Sequence, residues 1–149
     1  MRGFTQIKGV DYDEIYSPVV SYTANQVILI LAAQHNLIIH QMDVKSAFLN
    51  SEVDTELYVE QPEMFEEKDR HGWVCKLKKG LYGLKQAPRL WQKTLQSYLL
   101  TIGFTQLNSE PLIYVRKVEG MIVIIVVYVD DLQIASNSIT TIEETKMEL

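Results

Sequence analysis

The sequence predicts an α+β domain built in two layers: an antiparallel sheet with helices packed on one face, and a β-hairpin near the C-terminus. Three observations predict it. Met121 to Val129 is an unbroken apolar run rich in Val and Ile, bounded by Gly120 before and Asp130-Asp131 after, as a buried strand is. Leu90, Trp91, Thr94, Leu95, Tyr98, Leu99 and Ile102 recur at helical spacing behind Pro88, and Gly103 stands just past the end. Short alternating segments separated by turn residues fill most of the remaining chain.

Composition bounds the reading. A chain of 149 residues suits about one domain with a real core. It is 47% hydrophobic and 22% charged, an ordinary globular balance. The single cysteine, Cys75, excludes an internal disulfide and a cysteine cluster for zinc. His35, His40 and His71 show no ligand spacing. The N-terminal residues lack the apolar core of a signal peptide, and the longest apolar run is too short to cross a bilayer, so an intracellular domain with no membrane partner is expected. The net charge of −5 hides an asymmetry. No acidic residue lies between Asp69 and Glu110, where Arg70, Lys76, Lys78, Lys79, Lys85, Arg89 and Lys93 fall. Such a basic stretch in an acidic chain suits either phosphate contacts or a solvated face.

Along the chain, residues 1–20 read as irregular or briefly extended, with Ser17-Pro18 opposing a helix there. Thr23 to Gln26 fits a capping box, followed by the apolar run Val27 to Ala33, so a buried helix is expected over about 24–35. Leu37 to Met42 reads as a strand that delivers Asp43 at its end. Leu57 to Glu60 and Trp73 to Lys78 read as hairpin partners, joined by a charged and mobile loop over 66–72. Lys79 to Pro88 is a basic, turn-rich loop ahead of the amphipathic helix, whose apolar stripe is core. Leu112 to Val118 is a strand, and Glu119-Gly120 a tight turn into the central strand. Leu132 to Ala135 is the return strand of the hairpin, and a final helix is expected from Thr141 to Leu149, capped by Thr140 or Thr141.

The hairpin tip carries the chemistry. Asp130 and Asp131 repel each other and are costly beside an apolar strand unless a cation offsets them. Carboxylate oxygens suit Mg²⁺, although Asp-Asp also suits a plain polar turn. Asp43 repeats the pattern of strand followed by carboxylate, and neighbouring strands would bring it beside Asp130 and Asp131.

The ordered segments Arg2-Gly3-Phe4-Thr5-Gln6, Tyr12-Asp13-Glu14, Ser17-Pro18-Val19-Val20, His40 to Asn50, Leu57 to Pro62, Lys76 to Lys79, Leu81 to Arg89, Trp91 and Tyr128-Val129-Asp130-Asp131 together resemble the reverse transcriptase of copia-type LTR retrotransposon Pol polyproteins. The resemblance spans nearly the whole chain. It implies a fingers–palm fragment of a right-hand polymerase, here a single partial domain over 1–149, with the N-terminal fingers strand and the C-terminal thumb and RNase H outside it. It implies RNA- or DNA-templated synthesis of DNA from dNTPs onto a primer, supported by two Mg²⁺ ions with Mn²⁺ as the alternative. Asp43, Asp130 and Asp131 match the catalytic, metal-holding aspartates, and Val44 would add a metal contact. Val44, Phe48, Gly83, Lys85, Arg89 and Tyr128 are the matched dNTP- or template-binding positions, with Phe48 under the sugar of the incoming nucleotide. The implied partners are template and primer, dNTPs, and the rest of the polyprotein, including integrase, thumb and RNase H. Cytoplasmic particles are the implied location. The other functions compatible with the same residues are an inactive retroelement fragment that at most binds nucleic acid, and a different two-metal enzyme such as a nuclease or phosphohydrolase.

Overall fold

The computed structural model describes residues 3–67, 69–70 and 72–149; the readings that touch Met1, Arg2, Lys68 and His71 lie outside the described residues. The chain divides into two compact units, Met1–Tyr16 with Ser46–Thr94, and Ser17–Lys45 with Leu95–Leu149.

The second unit holds helix α1 (Tyr22–Gln34) and strand β1 (Ile38–Asp43), the C-terminal part of α2 (Ala87–Thr101), strands β4 (Thr105–Gln106), β5 (Ile113–Val118), β6 (Met121–Tyr128) and β7 (Asp131–Ser136), and helix α3 (Ile139–Glu148). Its five strands form an antiparallel sheet in the order β1-β7-β6-β5-β4. The order follows from two tight turns. Glu119 and Gly120 both take positive φ, as the expected two-residue hairpin turn requires, and β6 pairs on its other side with β7.

Register then sorts the side chains. Tyr114, Val123, Ile125, Leu132 and Ile134 share one face and are almost fully buried. Helix α3 packs against β6 and β7 on this side, where His40 of β1 meets Glu143 and Arg116 of β5 reaches Thr145. Ile39, Ile124, Val126 and Ala135 point to the opposite face. There Leu31 and His35 of α1 line an open apolar cavity of about 390 Å³ with Leu37, Ile122 and Ile124. Helices therefore flank both faces of the sheet, not one as the sequence predicts: α1 lies over the Ile122–Ile124 face and α3 over the face of His40 and Arg116.

Other departures are local. Ser21 caps α1 by accepting from the Ala24 N–H, and Ser138 caps α3 by accepting from the Thr141 N–H; in each case the serine preempts the predicted threonine by two or more residues. Helix α1 is not buried as predicted. Only Ile28 and Ala32 are, one turn apart, while Tyr22, Val27, Leu29 and Ile30 are exposed. A helix apolar on every side still turns only one stripe to the sheet. The short strand β4 carries no sequence signal of its own. Helix α2 ends as predicted: Gly103 has φ 88°, its N–H donates to the Leu100 carbonyl, and Phe104 donates to that of Leu99, a Schellman closure.

The first unit contains strands β2 (Tyr58–Glu60) and β3 (Val74–Lys76), paired as predicted, and the start of α2. Its core gathers Leu57, Leu84 and Ala87 with Phe48, Val53, Leu77 and Leu81. Gly80 is held against the turn after Phe48, where its N–H donates to the Ser51 carbonyl at 2.9 Å. A Cβ there would stand 2.7 Å from the Phe48 carbonyl oxygen and 2.8 Å from Ser51 Oγ. Gly80→Ala is therefore expected to cost about 1–3 kcal/mol, read as a shifted denaturant midpoint at unchanged slope. No helix among the described residues is long and apolar enough to cross a membrane.

Candidate active site

The edge strand β1 pairs with β7 so that Asp43 stands directly opposite Asp131. Antiparallel partners of this kind have Cα atoms roughly 4.5–5.5 Å apart and side chains on the same face. Tyr128 is the partner of Asp131 on β6, which places Tyr128, Asp131 and Asp43 in one row across three strands. The next row holds Val126, Gln133 and Gln41. The face is thus apolar along most of its length and polar at one end. Two like charges directly opposite one another destabilise a strand pair, and a cation between them reverses the sign.

The turn between β6 and β7 is Val129-Asp130. Val129 has φ 58°, the only β-branched residue in that region among the described residues, whereas Asp130 does not share it. Positive φ at the first turn residue alone is the pattern of a type II′ hairpin, normally a glycine position. A valine there stores strain of order 1–3 kcal/mol, and it does so beside two carboxylates. Asp130 is tied back through its main chain: the Val44 N–H donates to the Asp130 carbonyl at 2.9 Å. The predicted residues Asp43, Val44, Tyr128, Asp130 and Asp131 are accordingly neighbours at the same end of the sheet.

Among the described residues no three His, Cys, Asp or Glu side chains are gathered closely enough to hold a metal. The pair Asp43 and Asp131 nonetheless suits a hard cation. Mg²⁺ is commonly held by one or two carboxylates, with water and substrate phosphates as its other ligands. Asp130 is the turn residue beside the pair.

Sequence reasoning passed over Gln41. Its Nε2 donates to Asp131 Oδ1 at 3.0 Å, which ties it to one carboxylate of the pair. The signal was available: Gln41 and Asp43 are two apart on one strand and so share a face.

Phe48, Gly83, Lys85 and Arg89 belong to the first unit. Phe48 is half-buried on the Leu57–Leu84–Ala87 cluster, and its ring centroid lies 6.2 Å from that of Tyr82. Gly83 has φ 95°, and its carbonyl oxygen would lie 1.9 Å from a Cβ on Gly3, so it is in close approach to the chain's own backbone. Lys85 Nζ donates to the Gln6 carbonyl at 3.2 Å and the Tyr12 hydroxyl at 3.3 Å, and lies 5.0 Å from the Tyr12 ring centroid. Arg89, whose side chain is 14% exposed, pairs with Glu14 at 3.0 Å and Asp54 at 3.1 Å. Buried Gln86 donates to the Asp11 carbonyl at 2.9 Å and accepts from Gln6 Nε2 at 3.0 Å. Much of the basic loop thus binds the N-terminal segment. Further along, Arg70 pairs with Glu67 and Lys76 with Glu56; hydrogen bonding and charge attraction between the last two lower the Glu56 pKa and raise that of Lys76.

The whole chain, residues 1–149, matches the family model described as reverse transcriptase (RNA-dependent DNA polymerase). It is 43% identical over 150 residues to the Retrovirus-related Pol polyprotein from transposon TNT 1-94 of Nicotiana tabacum, covering 100% of this chain and 11% of that polyprotein. It is also 43% identical over 144 residues to the corresponding polyprotein from transposon RE1 of Arabidopsis thaliana, covering 97% of this chain and 10% of that one. The Transposon Ty1-MR1 Gag-Pol polyprotein of Saccharomyces cerevisiae is 32% identical over 143 residues, with 92% and 8% covered. The chain spans about a tenth of the length of these curated relatives. No solved structure matches it. With a family model matched from end to end and copia-like Pol relatives along the same length, the chain belongs to the reverse transcriptase (RNA-dependent DNA polymerase) family.

Proposed function

We propose that this chain is the fingers–palm part of a retrotransposon RNA-directed DNA polymerase, with its catalytic centre at the polar end of β1, β6 and β7. The observation that carries the reading is the register pairing of Asp43 with Asp131, with Asp130 in the adjoining turn. In the proposed reaction a primer 3′-hydroxyl attacks the α-phosphate of a dNTP. A new oxygen–phosphorus bond forms, the bond to the β-phosphate breaks, and pyrophosphate leaves.

Asp43 and Asp131 would hold a divalent cation, and Asp130 would serve a second. Mg²⁺ is the proposed ion and Mn²⁺ the alternative; when bound, such ions neutralise charge on the attacking and leaving oxygens. The protein's own part is positioning. Tyr128 flanks Asp131 in the same row, and the Val44 amide fixes the turn that presents Asp130. Template, primer, dNTPs and the remaining polyprotein segments are the proposed partners. Lys85 and Arg89 would reach phosphate only by sharing or leaving the protein partners they hold here.

Phe48 is proposed to exclude ribonucleotides by steric contact with a 2′-hydroxyl. Phe48→Ala is expected to raise ribonucleotide incorporation relative to deoxynucleotide by at least about tenfold; unchanged sugar selection would sink this role.

The reading as a whole is tested by primer extension on an RNA template with dNTPs and Mg²⁺ or Mn²⁺, using the chain in its flanking reading frame. Template-dependent extension is expected. Nucleic-acid binding without extension would mark an inactive remnant, and hydrolysis without a primer would mark a phosphohydrolase.

A further inference from the structure

We infer that Gln41 is a positioning residue for Asp131, holding one carboxylate oxygen so that the other is presented to the cation. This deepens the polymerase reading and rests on it for its effect on catalysis.

The geometry is specific. Gln41 and Asp43 lie on the same face of β1, two residues apart. Asp43 is opposite Asp131, so Gln41 is the diagonal neighbour of Asp131 across the strand pair. Diagonal neighbours are beyond the reach of short side chains and within that of a glutamine. Gln41 Nε2 donates to Asp131 Oδ1 at 3.0 Å. That oxygen is engaged, and Oδ2 is left for an ion. The residue directly opposite Gln41 is Gln133, whose buried Oε1 has no hydrogen-bond partner among the described residues, so the second row of this face is polar as well.

The hydrogen bond answers a problem the register creates. Asp43 and Asp131 face each other as like charges, and each repels the other toward rotamers pointing apart. A neutral amide donor on Asp131 restrains one of the two without adding a competing positive charge. Because Gln41 is exposed, the bond contributes little to folding. Outer partners of metal ligands act by orientation, and their loss commonly weakens metal binding or activity by about 10–100-fold.

The experiment compares wild type, Gln41→Leu, Asp131→Asn and the double variant. Mn²⁺ binding is read by electron paramagnetic resonance, stability by thermal melting, and catalysis by single-nucleotide primer extension with the chain in its flanking reading frame. Gln41→Leu is expected to weaken Mn²⁺ binding and to lower kcat, each by about tenfold, with KM for the dNTP within about twofold and melting within about 1 °C. In the Asp131→Asn background the same change is expected to alter Mn²⁺ affinity by less than about twofold, since the carboxylate it positions is gone.

Mn²⁺ affinity and kcat both within twofold of wild type would overturn the inference. So would losses matched by a large fall in melting temperature, which indicate plain destabilisation, or a wild-type chain that binds no Mn²⁺. If primer extension fails in wild type while the Mn²⁺ cycle behaves as described, the polymerase reading falls and the positioning role stands.

Discussion

Asp43→Asn is expected to abolish primer extension, by about 10³-fold or more, and at the same time to make the metal-free protein more stable. The two effects have one cause. Asp43 and Asp131 are directly opposed on one face of β1 and β7, and no cationic side chain among the described residues hydrogen-bonds or ion-pairs with either. Like charges in that relation oppose pairing, so removing one is expected to raise the melting temperature by roughly 1–4 °C in the absence of divalent ions. The same pair is the proposed cation site, and a factor of 10³ corresponds to about 4 kcal/mol of lost transition-state stabilisation. Added Mg²⁺ should stabilise wild type and leave the variant unmoved, because an ion that binds only the folded state stabilises it. A variant that loses stability and activity together would assign Asp43 to folding instead.

The largest expected effect on folding lies elsewhere in the second unit, at Arg116. Its side chain is only 13% exposed. Nη1 donates to the Ile102 carbonyl at 2.9 Å, closing off the end of α2, and pairs with Glu148 of α3 at 2.7 Å. Nη2 donates to Thr145 Oγ1 at 3.2 Å, and the guanidinium lies 4.6 Å from the centroid of the Phe104 ring. One fork therefore links β5, α3 and the segment after α2. Arg116→Ala leaves a carbonyl and a carboxylate without their partner and opens a gap, at an expected cost of about 3 kcal/mol. That corresponds to a fall of roughly 6–12 °C in the melting temperature. Arg116→Lys should recover only part of it, since an ammonium cannot reproduce the planar fork. A fall below about 2 °C for the alanine variant would show that the contacts contribute nothing net.

The sequence spoke most clearly where several signals coincided. The β6–β7 hairpin was readable because a long Val/Ile run is bounded by a glycine turn and two aspartates. The pairing of β2 with β3 followed from matched alternation, and the end of α2 from Gly103 behind an apolar stripe. Asp43 is expected beside Asp130 and Asp131 because carboxylates follow an apolar strand in both places, although the register that sets Asp43 directly opposite Asp131 cannot be read locally.

What was missed has physical reasons. Ser21 and Ser138 cap helices where Thr23 and Thr140 or Thr141 were expected, because several hydroxyls in a row each suit an N-cap and only the backbone path selects one. Helix α1 was expected to be buried, since composition reports how apolar a helix is and not how many sides are covered. Lys85 and Arg89 match dNTP- or template-binding positions by resemblance, and no local pattern announces the carboxylate, carbonyl and hydroxyl partners they hold here, which come from residues 6, 12, 14 and 54, far away in sequence. Gln41 was passed over because an amide in a strand looks like an ordinary solvent-facing residue until its cross-strand neighbour is known.

A divalent cation is proposed to be held between β1 and the β6–β7 hairpin. Fe²⁺ substituted for Mg²⁺ tests it most directly, because with ascorbate and peroxide the bound iron cuts the backbone next to its ligands. In the presence of template–primer and dNTP, cuts are expected at two places far apart in sequence, at Asp43-Val44 and at Asp130-Asp131, and both should disappear in Asp43→Asn. Cutting confined to the acidic stretch between Glu63 and Asp69, or cutting at the hairpin that survives Asp43→Asn, would contradict it.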